Sequence, residues 1–391
     1  MQRWQKRPEG STWGDFGPDD EIGRLNLLTP EKVLQGVAEV REGKTFCLSL
    51  PLDLPGGNAM NARRHPPRLA ATTRDGVPYA NFPMSKMQEN AVDILTDDQV
   101  TLCLQYSTQW DGLSHIGAYF DARGDGVPTK RYYNGYEAGV DILGGDDRGS
   151  SGEGHSSSVH SGSGHSGSGH SGNGHTGSRP TGSAHSGSVH DHDDHAADGC
   201  CNHGASFARR LGIDAYAAKG MQGRGVLVDF TRHFGTGRTL ITYDMLQHAM
   251  TADKVVVERG DFLVLRTGFS EAIMDMAGEP DHARLEQTGA VLDGTDTALL
   301  NWITESGIAA LCADNYAVEA YPARKVEGLT SALPLHHHCL FKLGLPLAEL
   351  WYLRDLAQWL HANGRNRFLL TAPPLRLPGA VGSPVTPIAT V

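Results

Sequence analysis

From Asp146 to Gly204 the chain is built almost entirely of Gly, Ser, His and Asp, and nothing in that stretch can form a packed core. Its repeat, Ser-Gly-x-Gly-His, has a period of five and sets out His155, His160, His165, His170 and His175, followed by His185 and His190. That period matches neither strand nor helix, and glycine at such density makes ordering the backbone entropically expensive. The reading is a disordered insertion, 146–204, between two halves, 1–145 and 205–391, that must close on each other as one domain. Ten of the chain's 19 histidines lie in it, and their imidazoles can hold Zn²⁺ or Ni²⁺ loosely. Cys200-Cys201-x-His203 at its end is not a structural zinc spacing.

The insertion explains why the overall hydrophobic content is only 39%, since the flanking halves have ordinary globular texture. A net charge of −11 without a basic stripe argues against nucleic acid as a partner. No run approaches the roughly 20 apolar residues that span a bilayer, and no signal-like stretch follows Met1, so a cytoplasmic protein without membrane association is expected. Cys47, Cys103, Cys312 and Cys339 stand singly and read as buried thiols.

Helix and strand patterns alternate through both halves, which implies an α/β or α+β fold around one core. Thr29-Pro30-Glu31 opens a helix, with Thr29 as cap, Pro30 in the first turn and Val33, Leu34, Val37 and Val40 along one side until Gly43. Residues 55–90 lack any period and read as a long loop, of the kind that forms lids or substrate walls. Strands are expected at 45–50, 98–106, 224–230 and 260–268, and a helix from Thr242 through Met250. A helix–turn–strand around 299–312 delivers Asp314, Asn315 and Glu319 to a strand end.

The chemistry concentrates in 104–116, where Gln105, Gln109, Asp111 and His115 fall within eleven residues. If a loop there runs into a helix, each pair spaced by four faces one space. Asp111 and His115 are then either metal ligands and proton carriers or a buried hydrogen-bonded pair. The run His336-His337-His338 follows an apolar segment, and His337 is either a satisfied core imidazole or a ligand. Together with Asp111, His115 and Glu349 it completes a set able to bind Mn²⁺ or Zn²⁺. No P-loop or Gly-x-Gly-x-x-Gly is present, and no Gly-x-Ser-x-Gly elbow supports Ser114 as a nucleophile.

These residues, with Tyr133-Asn134-Gly135-Tyr136, Gly223 to Asp229, Gly260-Asp261, Arg266-Thr267-Gly268 and His336 through Glu349, resemble the metal-dependent cyclase family. That family contains bacterial kynurenine formamidases and isatin hydrolases. Its signature His-x-Gly-Thr-His-x-Asp-x-Pro-x-His falls on 105–115, so Gln105 and Gln109 stand where the family has histidines. The later His and Glu of the formamidases fall on His337 and Glu349. The resemblance implies a single-domain, swivelling β/β/α fold in homo-dimers or homo-tetramers. It implies a hydrolase in which metal-activated water attacks an amide, lactone or ring carbonyl of a small cyclic or aryl substrate. The expected ligands are Gln105, Gln109, Asp111, His115, His337 and Glu349, with His115 and Glu349 in catalysis and His115 either ligand or proton shuttle. Trp110, Tyr133 and Tyr136 are expected as flat substrate walls. Two amide oxygens in place of imidazoles shift the preference from Zn²⁺ toward Mn²⁺. The alternative is a non-catalytic metal-binding or metal-buffering protein on the same scaffold.

Overall fold

The computed structural model describes residues 2–144, 206–328 and 330–391, so the insertion expected at 146–204 lies outside the described residues. A nine-stranded mixed sheet organises the chain. Its strands are β1 (Thr45–Cys47), β2 (Gln109–Asp111), β3 (Gln222–Asp229), β4 (Phe262–Arg266), β5 (Ala310–Ala313), β6 (Leu347–Glu349), β7 (Arg367–Thr371), β8 (Gly382–Pro384) and β9 (Ile388–Thr390). In space the order is β1-β9-β7-β3-β4-β5-β6-β2-β8. The four central strands β3 to β6 run parallel, and the strands outside them pair antiparallel.

Parallel strands covered on both faces need continuous apolar runs rather than alternation. Val226, Leu227 and Val228 on β3, Phe262 to Leu265 on β4 and Ala310 to Ala313 on β5 meet that need, each at 2% exposure or less. Helices α1 (Pro30–Val37), α2 (Tyr243–Ala252), α3 (Thr297–Ser306) and α4 (Arg354–Ala362) cover the sheet. The Asp296 carboxylate caps α3 by accepting from the Ala298 and Leu299 amides, and Gly307 in a left-handed conformation ends it.

Three readings of the sequence change. Helix α1 starts as expected, with the Thr29 hydroxyl accepting from the Lys32 amide, but it stops at Val37 and leaves Leu34 and Val37 exposed. Its inward face is Gly36, laid so close on the backbone of Gly223 that a β-carbon would meet it at 2.7 Å. Close backbone approach, not apolar side chains, docks this helix. The strand expected at 98–106 is only Asp98–Thr101, exposed at every position and paired with Arg68–Ala71. The space after it is a turn, and Gln109–Asp111 is itself a strand rather than part of a helix.

At the C-terminal end of β3, Asp229 faces its register partner Arg266 on β4 at 2.7 Å, and His361 Nε2 from α4 reaches the same carboxylate at 2.8 Å. Burial alone would raise the Asp229 carboxyl, but hydrogen bonds from His361, Thr231 and Arg266 outweigh it and hold the pKa down at about 2. A carboxyl lowered in the fold stabilises fully above its ordinary value of 3.8, and that contribution is lost as pH falls through about 2. Asp229→Asn is therefore expected to cost about 3 kcal/mol at pH 7. The gap between variant and wild-type urea midpoints should close between pH 4 and pH 2, and a gap independent of pH would refute the assignment.

The described ends of the two halves meet. Ile142–Leu143 pairs antiparallel with Phe207–Ala208, with Leu143 opposite Phe207. Replacing 145–205 by a short turn should then leave the far-ultraviolet spectrum and melting cooperativity intact. Shortening the loop by roughly four doublings should stabilise by about 2 kcal/mol. Broad, non-cooperative melting would show that the segment belongs to the core.

Candidate metal centre

β2 lies between β6 and β8, with Gln109 opposite Glu349 and Asp111 opposite Leu347. Successive strand residues point to opposite faces, so Gln109, Asp111 and the Glu349 carboxylate share one. Gly382 on β8 leaves the space where Gln105 lies, since a β-carbon there would strike the Gln105 amide. The third group comes from a one-turn helix, Pro334–His336, that runs directly into a π-helical turn, His337–Lys342.

His336, the last residue of the one-turn helix, points inward. Its Nε2 lies 3.2 Å from Glu349 Oε1 and 3.8 Å from Asp111 Oδ2. Asp111, His336 and Glu349 each offer one ligand atom, and these atoms all lie within 4.8 Å of one another. All three side chains are buried, and Asp111 Oδ2 has no hydrogen-bond partner among the described residues. An orphaned buried carboxylate oxygen beside a second carboxylate is costly unless a cation joins them. The donor set therefore fits a divalent metal.

Electrostatics agree. Burial raises the Asp111 carboxyl; the charges of His115 and His336 oppose the shift and that of Glu349 adds to it. Burial would also raise Glu349, but the hydrogen bond and charge of His336 hold it below its ordinary value. Burial disfavours the His336 imidazolium, yet Glu319 and Glu349 outweigh it and bring its pKa up to about 10. Without a metal, the His336 ring is the cation that these carboxylates share.

Glu319 fixes that ring. One of its oxygens meets His336 Nδ1 at 2.8 Å and the His336 amide at 2.9 Å, while the other takes the Leu335 amide at 2.8 Å. With Nδ1 committed, Nε2 is the nitrogen presented to Asp111 and Glu349. The approach depends on Gly294, where any β-carbon would collide with Glu319 Oε2. It also depends on strained backbone. Ala317 and Val318 have φ of 70° and 57°, and Leu350, next to Glu349, has φ of 58°. A β-branched residue is rarely held there, and such strain gathers at functional sites.

Gln109 is fully buried beside the cluster. In one amide orientation Nε2 sits 3.3 Å from Asp111 Oδ1 and 3.4 Å from Glu349 Oε2. Turned over, the amide donates to Gln105 O at 2.7 Å and Ser107 O at 3.2 Å, and its oxygen faces the two carboxylates. The second orientation makes the shorter bonds, and it sets a neutral oxygen donor where a cation would bind.

Above the cluster opens a cavity of about 470 Å³, walled by Arg64, His115, Tyr316, Tyr321, His336 and Glu349 among others. His115 Nε2 lies 3.8 Å from Asp111 Oδ1. Arg64 donates to Gln105 O at 2.7 Å, and its guanidinium lies 5.8 Å from the Tyr316 ring centroid. The Cyclase family profile matches residues 48–320, which carry strands β2 to β5 and most of this cavity. The chain belongs to the Cyclase family.

The solved structure of a novel cyclase is similar to it at 28% identity and a TM-score of 0.65, covering 97% of each chain. Isatin hydrolase A from Ralstonia solanacearum is 13% identical with a TM-score of 0.47, covering 93% of this chain and 98% of that one. Isatin hydrolase A from Labrenzia aggregata, bound to benzyl benzoate, is 12% identical with a TM-score of 0.48, covering 92% and 98%. No curated protein matches the sequence.

Against this cyclase scaffold the expected site residues divide. Asp111, Glu349 and Gln109 converge, and His115 lines the cavity. Gln105 holds Arg64 through its backbone oxygen while its side chain lies against Gly382. The imidazole in the cluster is His336, thirteen residues before Glu349, and not His337, whose ring stacks on Phe341 at 5.0 Å. Spacing alone missed it because the π-helical turn shifts which histidine faces inward. Trp110, Tyr133 and Tyr136 are core rather than substrate walls, each with no measurable exposure. Trp110 Nε1 donates to Ala372 O, and the two tyrosine hydroxyls are spent on Asp20 and the Asp19 carbonyl. Ser114 is buried, donating to Leu211 O. Glu319 and Arg64 were absent from the expected set; Glu319 at a strand end was the one available signal.

Glu319→Gln should keep the fold and weaken Mn²⁺ binding by about 10- to 100-fold, read by competition with a chelating dye. Unchanged affinity would reduce Glu319 to a backbone support.

Proposed function

We propose that the protein is a divalent-metal-dependent hydrolase acting on the carbonyl of a small amide, lactone or ring substrate. The observation that carries this reading is the convergence of Asp111, His336 and Glu349 at the buried base of an open cavity, with Asp111 Oδ2 unpartnered. Asp111, His336 and Glu349 hold the ion, with the Gln109 oxygen as a further donor. A divalent cation bound there polarises a carbonyl and lowers the pKa of a water. Two carboxylates, an amide oxygen and one imidazole favour Mn²⁺ over Zn²⁺.

His115 carries the proton. Its ring lines the cavity, and its Nε2 faces Asp111 Oδ1, where it can accept a proton from the attacking water and return it to the leaving nitrogen or oxygen. Arg64, held by Gln105 O, places a guanidinium on the cavity wall where negative charge grows on the substrate oxygen. Tyr316 offers a flat face for an aryl group. An aryl formamide or a fused-ring lactam fits these walls, and the arylformamidase-like activity is proposed on that ground.

Among the described residues no helix is long and apolar enough to cross a membrane. Cys312 and Cys339 are buried as expected, whereas Cys47 is exposed and Cys103 partly so; all four are free thiols, which supports a reducing, cytoplasmic setting. A homo-dimer or homo-tetramer is the proposed assembly, by likeness to the cyclases.

The test separates ligand from proton carrier. Asp111→Asn should remove Mn²⁺ and turnover of an N-aryl formamide together. His115→Gln should leave Mn²⁺ content unchanged and lower kcat by about 10²- to 10⁴-fold. Crystals grown with Mn²⁺ that show no anomalous peak beside Asp111 would defeat the reading.

A further inference from the structure

We propose that the apolar chamber beyond Tyr316 is a second subsite that takes an aryl or alkyl tail, so that the substrate is an extended, two-part molecule. This rests on the hydrolase reading of the Asp111–His336–Glu349 site. The chamber holds about 510 Å³ and is lined by Met60, Phe269, Leu285, Tyr316, Tyr321 and Pro322 among others. Met60, Tyr316 and Tyr321 also wall the cavity above the metal centre, so the two spaces share one partition. A single-ring substrate is accommodated by the inner cavity alone. Cavities of roughly 300–1,000 Å³ ordinarily serve whole drug-sized ligands, and here two of that size adjoin.

The chamber's floor is a separate apolar cluster. Leu50, Leu54, Phe269, Ile273, Leu285 and Leu350 pack together apart from the main core, with Met60 and Tyr316 against them. Leu350 directly follows Glu349, and its carbonyl accepts from Thr108 Oγ1 at 2.5 Å. The floor of the outer chamber is therefore tied covalently to a metal ligand. Polar groups stand at the rim, where His282 Nε2 meets Glu286 Oε1 at 3.2 Å beside Arg238. A tail lying here buries its apolar length and leaves its end in water.

The probes are benzoate, 3-phenylpropanoate and 5-phenylpentanoate, titrated calorimetrically into the Mn²⁺-loaded protein. Each methylene that enters the chamber should tighten binding about fourfold, and the longest acid should exceed benzoate by at least tenfold. Leu285→Trp, which fills the chamber without lining the inner cavity, should flatten the series and leave benzoate affinity unchanged. Should that variant fail to fold, His282→Trp at the exposed rim gives the same test. A flat series in wild type, or a length gain that survives the tryptophan variants, overturns the proposal. Failure of the hydrolase reading shows separately, as failure to retain Mn²⁺ in a probe-free titration. The neutral phenylalkanols of matching length then report on the chamber alone, with the same length gain expected and its absence overturning the proposal.

Discussion

Two carboxylates buried side by side on the same face of a sheet set the terms for the rest of this molecule. Asp111 and Glu349 lie on adjacent antiparallel strands whose register places Glu349 opposite Gln109. Asp111 is fully buried, and Glu349 is 3% exposed where it lines the cavity. Their mutual repulsion in a low-dielectric interior needs a positive partner, and the neighbours supply one in stages. His336 is the nearest, with Glu319 behind it raising its basicity and fixing its ring. Arg64 adds a more distant positive charge that lowers both carboxyls. Asp111 Oδ2 still lacks a partner among the described residues, and that residual need points to a divalent ion.

Holding such a cluster together requires a rigid frame. The parallel strands β4 to β6 are apolar on both faces and bring Glu349 to the cluster at a strand end. Asp314, at the end of β5, is fully buried; burial raises its carboxyl to about 7 although the Thr267 and Gly268 amides donate to it. These bonds tie the turn after β4 to the segment that carries Tyr316 through Glu319. The left-handed backbone at Ala317 and Val318 is held between these bonds and those that Glu319 accepts from the Leu335 and His336 amides. Thr108 completes the frame by joining the Leu50 amide to the Leu350 carbonyl through one hydroxyl.

The core strands were legible because parallel, doubly covered strands announce themselves as unbroken apolar runs. β3 and β4 fall where 224–230 and 260–268 place them, and β5 closes the helix–turn–strand expected around 299–312. Helix α2 and the cap of α1 were legible for similar local reasons. What stayed hidden was register and burial of polar groups. A three-residue strand such as Gln109–Asp111 is too short for a period to show, and its pairing partners lie more than 200 residues away. The choice of His336 over His337 depends on a π-helical turn, which leaves no compositional mark. The aromatic residues misled because Trp110, Tyr133 and Tyr136 combine large apolar area with a polar tip. That combination suits a substrate wall and equally suits a core position where the tip finds a backbone carbonyl or a carboxylate.

The glutamines in the signature positions have distinct structural consequences. Gln109, where the resemblance sets an imidazole, lies next to the two carboxylates and, with its amide turned over, faces them with a neutral, hard oxygen. Gln105 withdraws from the cluster and lies against Gly382, while its carbonyl anchors Arg64. The anchor for Arg64 is the backbone oxygen of residue 105 and does not depend on the side chain there, which is turned toward Gly382. A site with less nitrogen coordination binds a harder ion and acidifies its water less strongly than an imidazole-rich zinc site. On the proposed hydrolase reading, Arg64 on the cavity wall would carry more of the charge that grows on the substrate oxygen.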